Sequence, residues 1–352
     1  MTTYRNILVY AMVNLGDVVL TTSAIALLKE IYPDARITML SRPIVREVIE
    51  RNPVIDDVIL FDYKAKQNSM GRMWAMVREL RARKFDLAIS FDRKLRPALL
   101  CLFAGIPVRV GPSRVFEDKP SRVTWLYTHT VPIAHDLENT LQAETYQEII
   151  RGFTGAQGHG RPVLPAPSTA ECAKAATILS SAGTRHKIGL CVKGTFGLKT
   201  WPKAYFAEVV RALHARYDAA FYLTGAPGDY AYAEEVIDAI GLPVENLCGK
   251  TNLMELAALY AQLDLLVTVD TGGAHIAAVT GVPMVVMFGC TSPRRWHPIS
   301  EHARAFTSNE PCCPCTYRET ECPSYPQPNC LYHVLPAVVT EACISYLEHD
   351  AE

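Results

Sequence analysis

Residues 6–40, NILVYAMVNLGDVVLTTSAIALLKEIYPDARITML, decide the fold. Asn6 to Ala11 is a short, β-rich apolar run suited to a strand buried in a parallel sheet. Met12 to Gly16 breaks that pattern as a loop. A helical spacing then runs from Asp17 to Tyr32 and stops at Pro33. Ala35 to Leu40 opens a second strand. Strand, helix and strand at this spacing imply a parallel sheet covered on both faces.

Outward from this unit the alternation continues, with strands at Val58–Phe61 and Phe85–Phe91 and helices at Gly71–Arg83 and Leu95–Ala104. At Gly155–Ser168 (GAQGHGRPVLPAPS) Gly and Pro dominate and the apolar period is lost, which marks a linker. Beyond it the alternation restarts. Strands are expected at His186–Val192, Ala219–Thr224, Leu265–Val269 and Met284–Phe288. Helices are expected at Lys203–Tyr217, Asp229–Ile240, Leu253–Gln262 and Gly273–Thr280. The chain therefore reads as two doubly wound α/β domains, 1–160 and 161–335, with a terminal helix in 336–352 packing back on the first. Ligands of such sheets sit at the carboxyl ends of the strands, so two facing halves would form a cleft.

A length of 352 residues suits two domains. Hydrophobic residues at 49% and charged residues at 20% argue against disorder. Lys plus Arg (35) against Asp plus Glu (36) leaves a net charge of −1, which excludes a uniformly basic nucleic-acid coat, and no nucleic-acid partner is expected. Arg5, Asn14 and Asp17 interrupt the first twenty residues, and Gly281 and Pro283 interrupt the apolar stretch from His275 to Cys290. Neither an export signal nor a membrane span is expected, and the reading is of a soluble cytoplasmic protein.

Several motifs could carry chemistry. Asn14-Leu15-Gly16-Asp17 lies between a strand and a helix, where Asp17 reads either as a helix cap or as a carboxylate general base. Lys193 to Pro202 (KGTFGLKTWP) is a Gly-rich turn with a lysine at a helix start, suited to phosphate or to plain solvation. Thr268 to His275 (TVDTGGAH) runs a strand through small residues into a helix, uncovering helix amides for a pyrophosphate. Asp270 as a cap and His275 packed on the sheet is the plainer alternative. Phe288 to Trp296 is a polar loop closing the next strand, and Arg93, Lys94 and Arg96 form a cationic cluster at another strand end. HExxH, an early G-x-G-x-x-G and the D-x-D metal–nucleotide signature are all missing.

In this order the segments resemble the heptosyltransferases of lipopolysaccharide core synthesis, glycosyltransferase family 9. The likeness rests on NILVYAMVNLGDVVLTTSAIALLKEIYPDA, GLKTWPKAYFAEVVRAL and VDTGGAHIAAVTGVPMVVMFGCTSPRRWHP. It implies a GT-B fold and inverting transfer of heptose from ADP-heptose to an inner core, either Kdo or a first heptose. The first domain would then bind the acceptor and the second the donor. The family's catalytic Asp falls on Asp17 and its donor-phosphate Lys on Lys199. Its donor loop falls on Asp270, Thr271, Gly272, Gly273 and His275, with Thr195 at a hydroxyl-bearing position and Asp229 near an acidic nucleoside position. Arg93, Lys94, Arg96 and Arg114 would hold the carboxylates or phosphates of the acceptor. The partners implied are a nucleotide sugar, which is a substrate, and a lipid-anchored oligosaccharide reached by peripheral contact with the cytoplasmic face of the inner membrane. No cofactor and no metal are required by this reading. Alternatives are another nucleotide sugar on the same scaffold and a non-catalytic sugar-nucleotide binder.

Of eleven cysteines, Cys312, Cys313, Cys315, Cys322 and Cys330 crowd into one stretch. A reduced, partly buried cap is the preferred reading, with a zinc site or a disulfide as alternatives.

Overall fold

The computed structural model describes residues 3–62, 69–92, 94–114, 120–183, 185–315, 321–324 and 326–349. The chain divides into two compact units, Met1–Ala166 and Pro167–Glu352.

In the first unit the elements run β1 (Asn6–Tyr10), α1 (Leu15–Ile31), β2 (Arg36–Ser41), α2 (Arg46–Ile49), β3 (Asp57–Leu60), α3 (Ser69–Arg83), β4 (Leu87–Ser90), α4 (Leu95–Phe103), β5 (Val108–Pro112), β6 (His129–Val131) and α5 (Gln142–Thr154). The described strands form one parallel sheet in the order β3-β2-β1-β4-β5-β6. Ile7 to Tyr10 are buried on both faces of β1, which explains an apolar run without alternation. Helices α3 and α4 cover the face bearing Leu8, Tyr10, Leu40 and Ile59 through Met76, Val77, Leu80, Leu100 and Cys101. α1 packs on α5 and is buried over most of its length. Its Thr21, Thr22 and Ser23 are fully buried, and each hydroxyl is satisfied by the carbonyl three residues back.

In the second unit follow α6 (Thr169–Leu179), β7 (His186–Cys191), α7 (Lys203–Arg216), β8 (Ala219–Leu223), α8 (Tyr230–Ile240), β9 (Val244–Asn246), α9 (Leu253–Tyr260), β10 (Leu265–Val269), α10 (Gly272–Thr280), β11 (Met284–Met287), α11 (Pro293–Trp296), β12 (Ala303–Phe306), α12 (Asn329–Tyr332) and α13 (Pro336–His349). Its described strands are again all parallel, in the order β12-β11-β10-β7-β8-β9. In each unit the strand order reverses once, between β1 and β4 and between β7 and β10. Those reversals open a crevice at the carboxyl edge of the sheet.

α13 buries Val339, Ala342, Cys343 and Leu347 in the second unit's core, against α7, β10 and β11. The boundary expected at residue 160 moves to Ala166. The Gly/Pro-rich stretch after α5 is strapped to the first unit well past residue 160. The Gly160 amide donates to Gln147 Oε1 (2.7 Å), the Val163 amide to Thr22 Oγ1 (2.8 Å) and Asn52 Nδ2 to the Val163 carbonyl (2.9 Å). A Cβ at Gly160 would lie 2.0 Å from the Ser23 carbonyl oxygen, so only glycine permits this approach to α1.

Candidate active site

At the first reversal, Asn14 occupies the position before α1 and Asp17 is the third helical residue, so Asp17 is not the cap. Its carboxylate stands half-buried in the first turn, where the helix dipole favours negative charge. Tyr146 of α5 donates its hydroxyl to Asp17 Oδ1 at 2.8 Å. The Tyr146 ring is itself buried and lies 5.2 Å from the Phe91 ring, just past the end of β4. Groups from both sides of the reversal thus fix one acid.

The expected acceptor-side cations follow β4 and β5 of the same sheet. Lys94 is exposed at the start of α4, its amide bonded to the buried Asp92 (3.1 Å), and Arg96 is half-buried one residue into that helix's first turn. Arg114 follows β5, the neighbour of β4, and donates to the Ile133 carbonyl (3.2 Å). Arg93 lies outside the described residues.

At the second reversal the loop after β7 folds back on itself. A Cβ on Gly194 would fall 2.4 Å from Lys199 Cβ, so glycine allows the turn to close. Lys199 ends a short 3₁₀ turn, and its Nζ reaches Asp270 Oδ2 at 2.7 Å. Asp270 follows β10 and is nearly buried. Thr291, from the loop after β11, donates to the same oxygen at 2.5 Å. Asp270 is therefore an anchor for Lys199, and Thr271 takes the cap position of α10. The Gly272 and Gly273 amides open that helix, where the backbone offers them no internal acceptor.

His275, in the first turn of α10, is 4% exposed and its Nδ1 has no hydrogen-bond partner among the described residues. Burial pushes its pKa down to about 4; Asp270 opposes this, and Lys199 and His297 add to it. The imidazole is neutral at pH 7, a dipole and not a second cation. Asp229, at the foot of α8, pairs with Lys193 (3.0 Å) and accepts from the Ala226 amide (3.0 Å). Thr195 is exposed in the loop between Gly194 and Lys199.

The geometry places a cation, uncovered helix amides and a neutral imidazole together at one sheet edge. The profile of glycosyltransferase family 9 (heptosyltransferase) matches residues 73–325, most of the chain. The chain belongs to glycosyltransferase family 9. Among relatives, lipopolysaccharide heptosyltransferase 3 of Escherichia coli is 28% identical over 344 residues, covering 94% of this chain and 96% of that protein. The crystal structure of the glycosyl transferase family 9 protein of Veillonella parvula DSM 2008 superimposes with a TM-score of 0.85 at 23% identity, over 99% of both chains. The E. coli ADP-heptose LPS heptosyltransferase II superimposes with a TM-score of 0.80 at 24% identity, over 99% of this chain and 100% of that one. The fold is the GT-B fold, and the protein is a glycosyltransferase of the heptosyltransferase family.

Within this family member, sequence reasoning misses Tyr146 and gives Thr291 no role. Tyr146 stands 129 residues from Asp17, and no local pattern links them. Thr291 lies in the polar loop after β11, and its position at a strand end was the available signal. The cysteine stretch is pinned to that loop: Cys313 Sγ donates to the Gly289 carbonyl (2.9 Å) and the Cys315 amide to the Cys290 carbonyl (2.8 Å). All eleven cysteines are free thiols, from exposed Cys312 to buried Cys330. Among the described residues no group of three or more His, Cys, Asp or Glu is arranged to hold a metal, and no helix is long and apolar enough to cross a membrane.

Proposed function

We propose that this glycosyltransferase moves a heptose from ADP-heptose onto the inner core of lipopolysaccharide, either Kdo or a first heptose, with inversion at the anomeric carbon. The observation that carries the reading is the convergence of Lys199, Asp270, Thr291 and the start of α10 at the second reversal. Such a site offers a diphosphate one anchored cation and aligned amides. The names of the relatives, heptosyltransferases using ADP-heptose or acting on lipopolysaccharide, support the choice of sugar and acceptor.

In the reaction, Asp17 takes the proton from the acceptor hydroxyl as its oxygen bonds to the anomeric carbon. The bond from that carbon to the β-phosphate oxygen breaks on the opposite face, and its electron pair leaves with ADP. Lys199 and the amides at Thr271 to Gly273 meet the charge developing on the leaving diphosphate. Tyr146 holds one carboxylate oxygen of Asp17, orienting the base. Lys94, Arg96 and Arg114, with Arg93, meet the anionic groups of the acceptor. Asp229 and Thr195 belong to the donor side. The acceptor is lipid-anchored, so the protein works at the cytoplasmic face of the inner membrane.

The test is incubation with ADP-heptose and a panel of core acceptors, with products read by mass spectrometry and anomeric configuration by NMR. One added heptosyl group with release of ADP, unchanged by EDTA, is expected. Preference for another nucleotide sugar overturns the donor assignment, and ADP binding without turnover overturns catalysis. Loss of transfer in chelator, restored by Mg²⁺ or Mn²⁺, overturns the metal-free leaving-group chemistry.

A further inference from the structure

Two cysteines of the crowded stretch meet behind the loop that follows β11. From one side comes Cys313, whose Sγ donates to the Gly289 carbonyl at 2.9 Å. From the other comes Cys330, in α12. A Cβ on Gly289 would fall 2.9 Å from Leu331 Cγ, so the residue beside Cys330 packs on the same glycine. Glu310 ties the two ends together: its carbonyl accepts from the Cys313 amide (2.9 Å) and its carboxylate meets His333 Nδ1 at 2.5 Å. Cys330 is 5% exposed, and Cys313 is half-buried against the same core.

The two thiols hold each other in different states. Burial pushes Cys101, Cys248, Cys290 and Cys343 up to about 12, as expected of inert thiols in apolar surroundings. Cys330 moves the other way. A hydrogen bond from the Cys313 thiol holds it below the usual thiol range against the opposing effect of burial, and the same bond holds Cys313 above that range. A sulfur that favours its thiolate, in contact with a second thiol, is the arrangement of an oxidisable pair.

We propose that Cys313 and Cys330 form a reversible disulfide when the protein meets a peroxide, and that this bond loosens the loop after β11. The Cys330 thiolate attacks one peroxide oxygen, the O–O bond breaks, and Cys330 becomes a sulfenic acid while the departing hydroxide takes up a proton as water. The Cys313 sulfur then attacks the Cys330 sulfur. The S–S bond forms as the S–O bond breaks, and the hydroxyl leaves as water with the Cys313 proton. Two thiols are oxidised and one peroxide is reduced to two waters.

That second step removes the hydrogen that Cys313 gives to Gly289. The next two residues matter at the second reversal. The Cys290 amide donates to the Leu198 carbonyl (3.3 Å), beside Lys199, and Thr291 donates to Asp270. Oxidation therefore slackens the loop that steadies Asp270 and Lys199. The disulfide rests on the two thiols alone; its effect on ADP rests on the donor reading above.

The experiment is treatment of the full chain with a small excess of hydrogen peroxide, alkylation of the remaining thiols and peptide mapping by mass spectrometry without reductant, beside calorimetric titration of ADP. A Cys313–Cys330 cross-link is expected, removed by dithiothreitol, with ADP bound about tenfold more weakly while it is in place. Cys313→Ser keeps a hydroxyl donor for Gly289, so it should bind ADP like the reduced wild type and ignore peroxide. Cys330→Ala should lose the response from the other side. Peroxide that leaves both thiols free, carries Cys330 to a sulfinic acid, or links other cysteines in their place overturns the proposal. A cross-link with unchanged ADP affinity overturns the coupling to the loop. A cross-link in a protein whose reduced form binds no ADP supports the disulfide and overturns the donor reading.

Discussion

At the first strand reversal a half-buried carboxylate, Asp17, is held by a phenol; at the second a lysine, Lys199, is held by a carboxylate. The two sheets share one strand order, so each crevice is opened by the same topology. What differs is the residue set loaded into the loops. At Asp17 the described partner is a hydroxyl, which orients the acid. The ion pair at Lys199 lowers the net charge of the donor side, which then relies on helix amides and on the aim of one ammonium. Topology chooses where chemistry happens; short loop sequences choose which chemistry.

The comparison can be broken at either end. Asp17→Asn should produce the largest effect, a fall in transfer rate of about 10²–10⁴ with ADP affinity retained, because the proton acceptor is lost and a similar shape remains. Steady-state transfer beside calorimetric ADP titration checks it; a folded variant with near-normal turnover would falsify the base assignment. Lys199→Ala should cost about 10²–10³ in rate, and it should weaken ADP binding as well, since the cation serves the bound and the departing diphosphate alike. Equal ADP affinity in that variant would remove Lys199 from the donor site.

His275 sharpens the contrast through stability. Its pKa is near 4 in the folded protein against an ordinary value of about 6.5, so between those values the unfolded chain takes up a proton that the folded one refuses. Stability from this group is complete above about pH 6.5 and falls as pH drops toward 4, by up to about 3 kcal/mol. His275→Gln should lose less stability over that window than the wild type, as urea melts at the two ends of the window would show. Parallel curves would mean that the imidazole is not held neutral.

The smallest expected change belongs to Tyr146→Phe. Removing the hydroxyl that orients Asp17 should lower kcat by about fivefold, with donor KM unchanged. An unchanged kcat in a folded Tyr146→Phe protein, where Asp17→Asn is inactive, would leave the ring a packing role only.

Much of this architecture was legible because its central strands carry long apolar runs. NILVY and LLVTV are buried on both faces and have little polar content to confuse the period. HTV and VEN, the short strands β6 and β9, hold three residues each and no period at all; they become strands only by pairing with β5 and β8. The box Ser168-x-x-Glu171, in which each side chain bonds the other's amide, announces α6, yet Ser168 reads in isolation as the end of a linker. At the site, Asp17, Lys199, Asp270 and His275 stand out because each sits where a strand gives way to a helix. Their partners do not. Tyr146 is brought to Asp17 by helix packing, and Asp270 reads as a cap until the fold places Lys199 beside it.

The close approach of Gly160 to α1 bears on how such proteins could be recombined. A chimera joining this first unit to a foreign second unit at residue 160, where composition suggests the seam, would discard Val163. The Thr22 hydroxyl would lose the amide it accepts from, and Asn52 the carbonyl to which its amide donates, both of them within the buried framework. A graft made at Pro167 keeps those bonds and places the seam just before the capped start of a helix, which here is Ser168 before α6. The transplantable module is defined by its last hydrogen bond, several residues beyond its last helix.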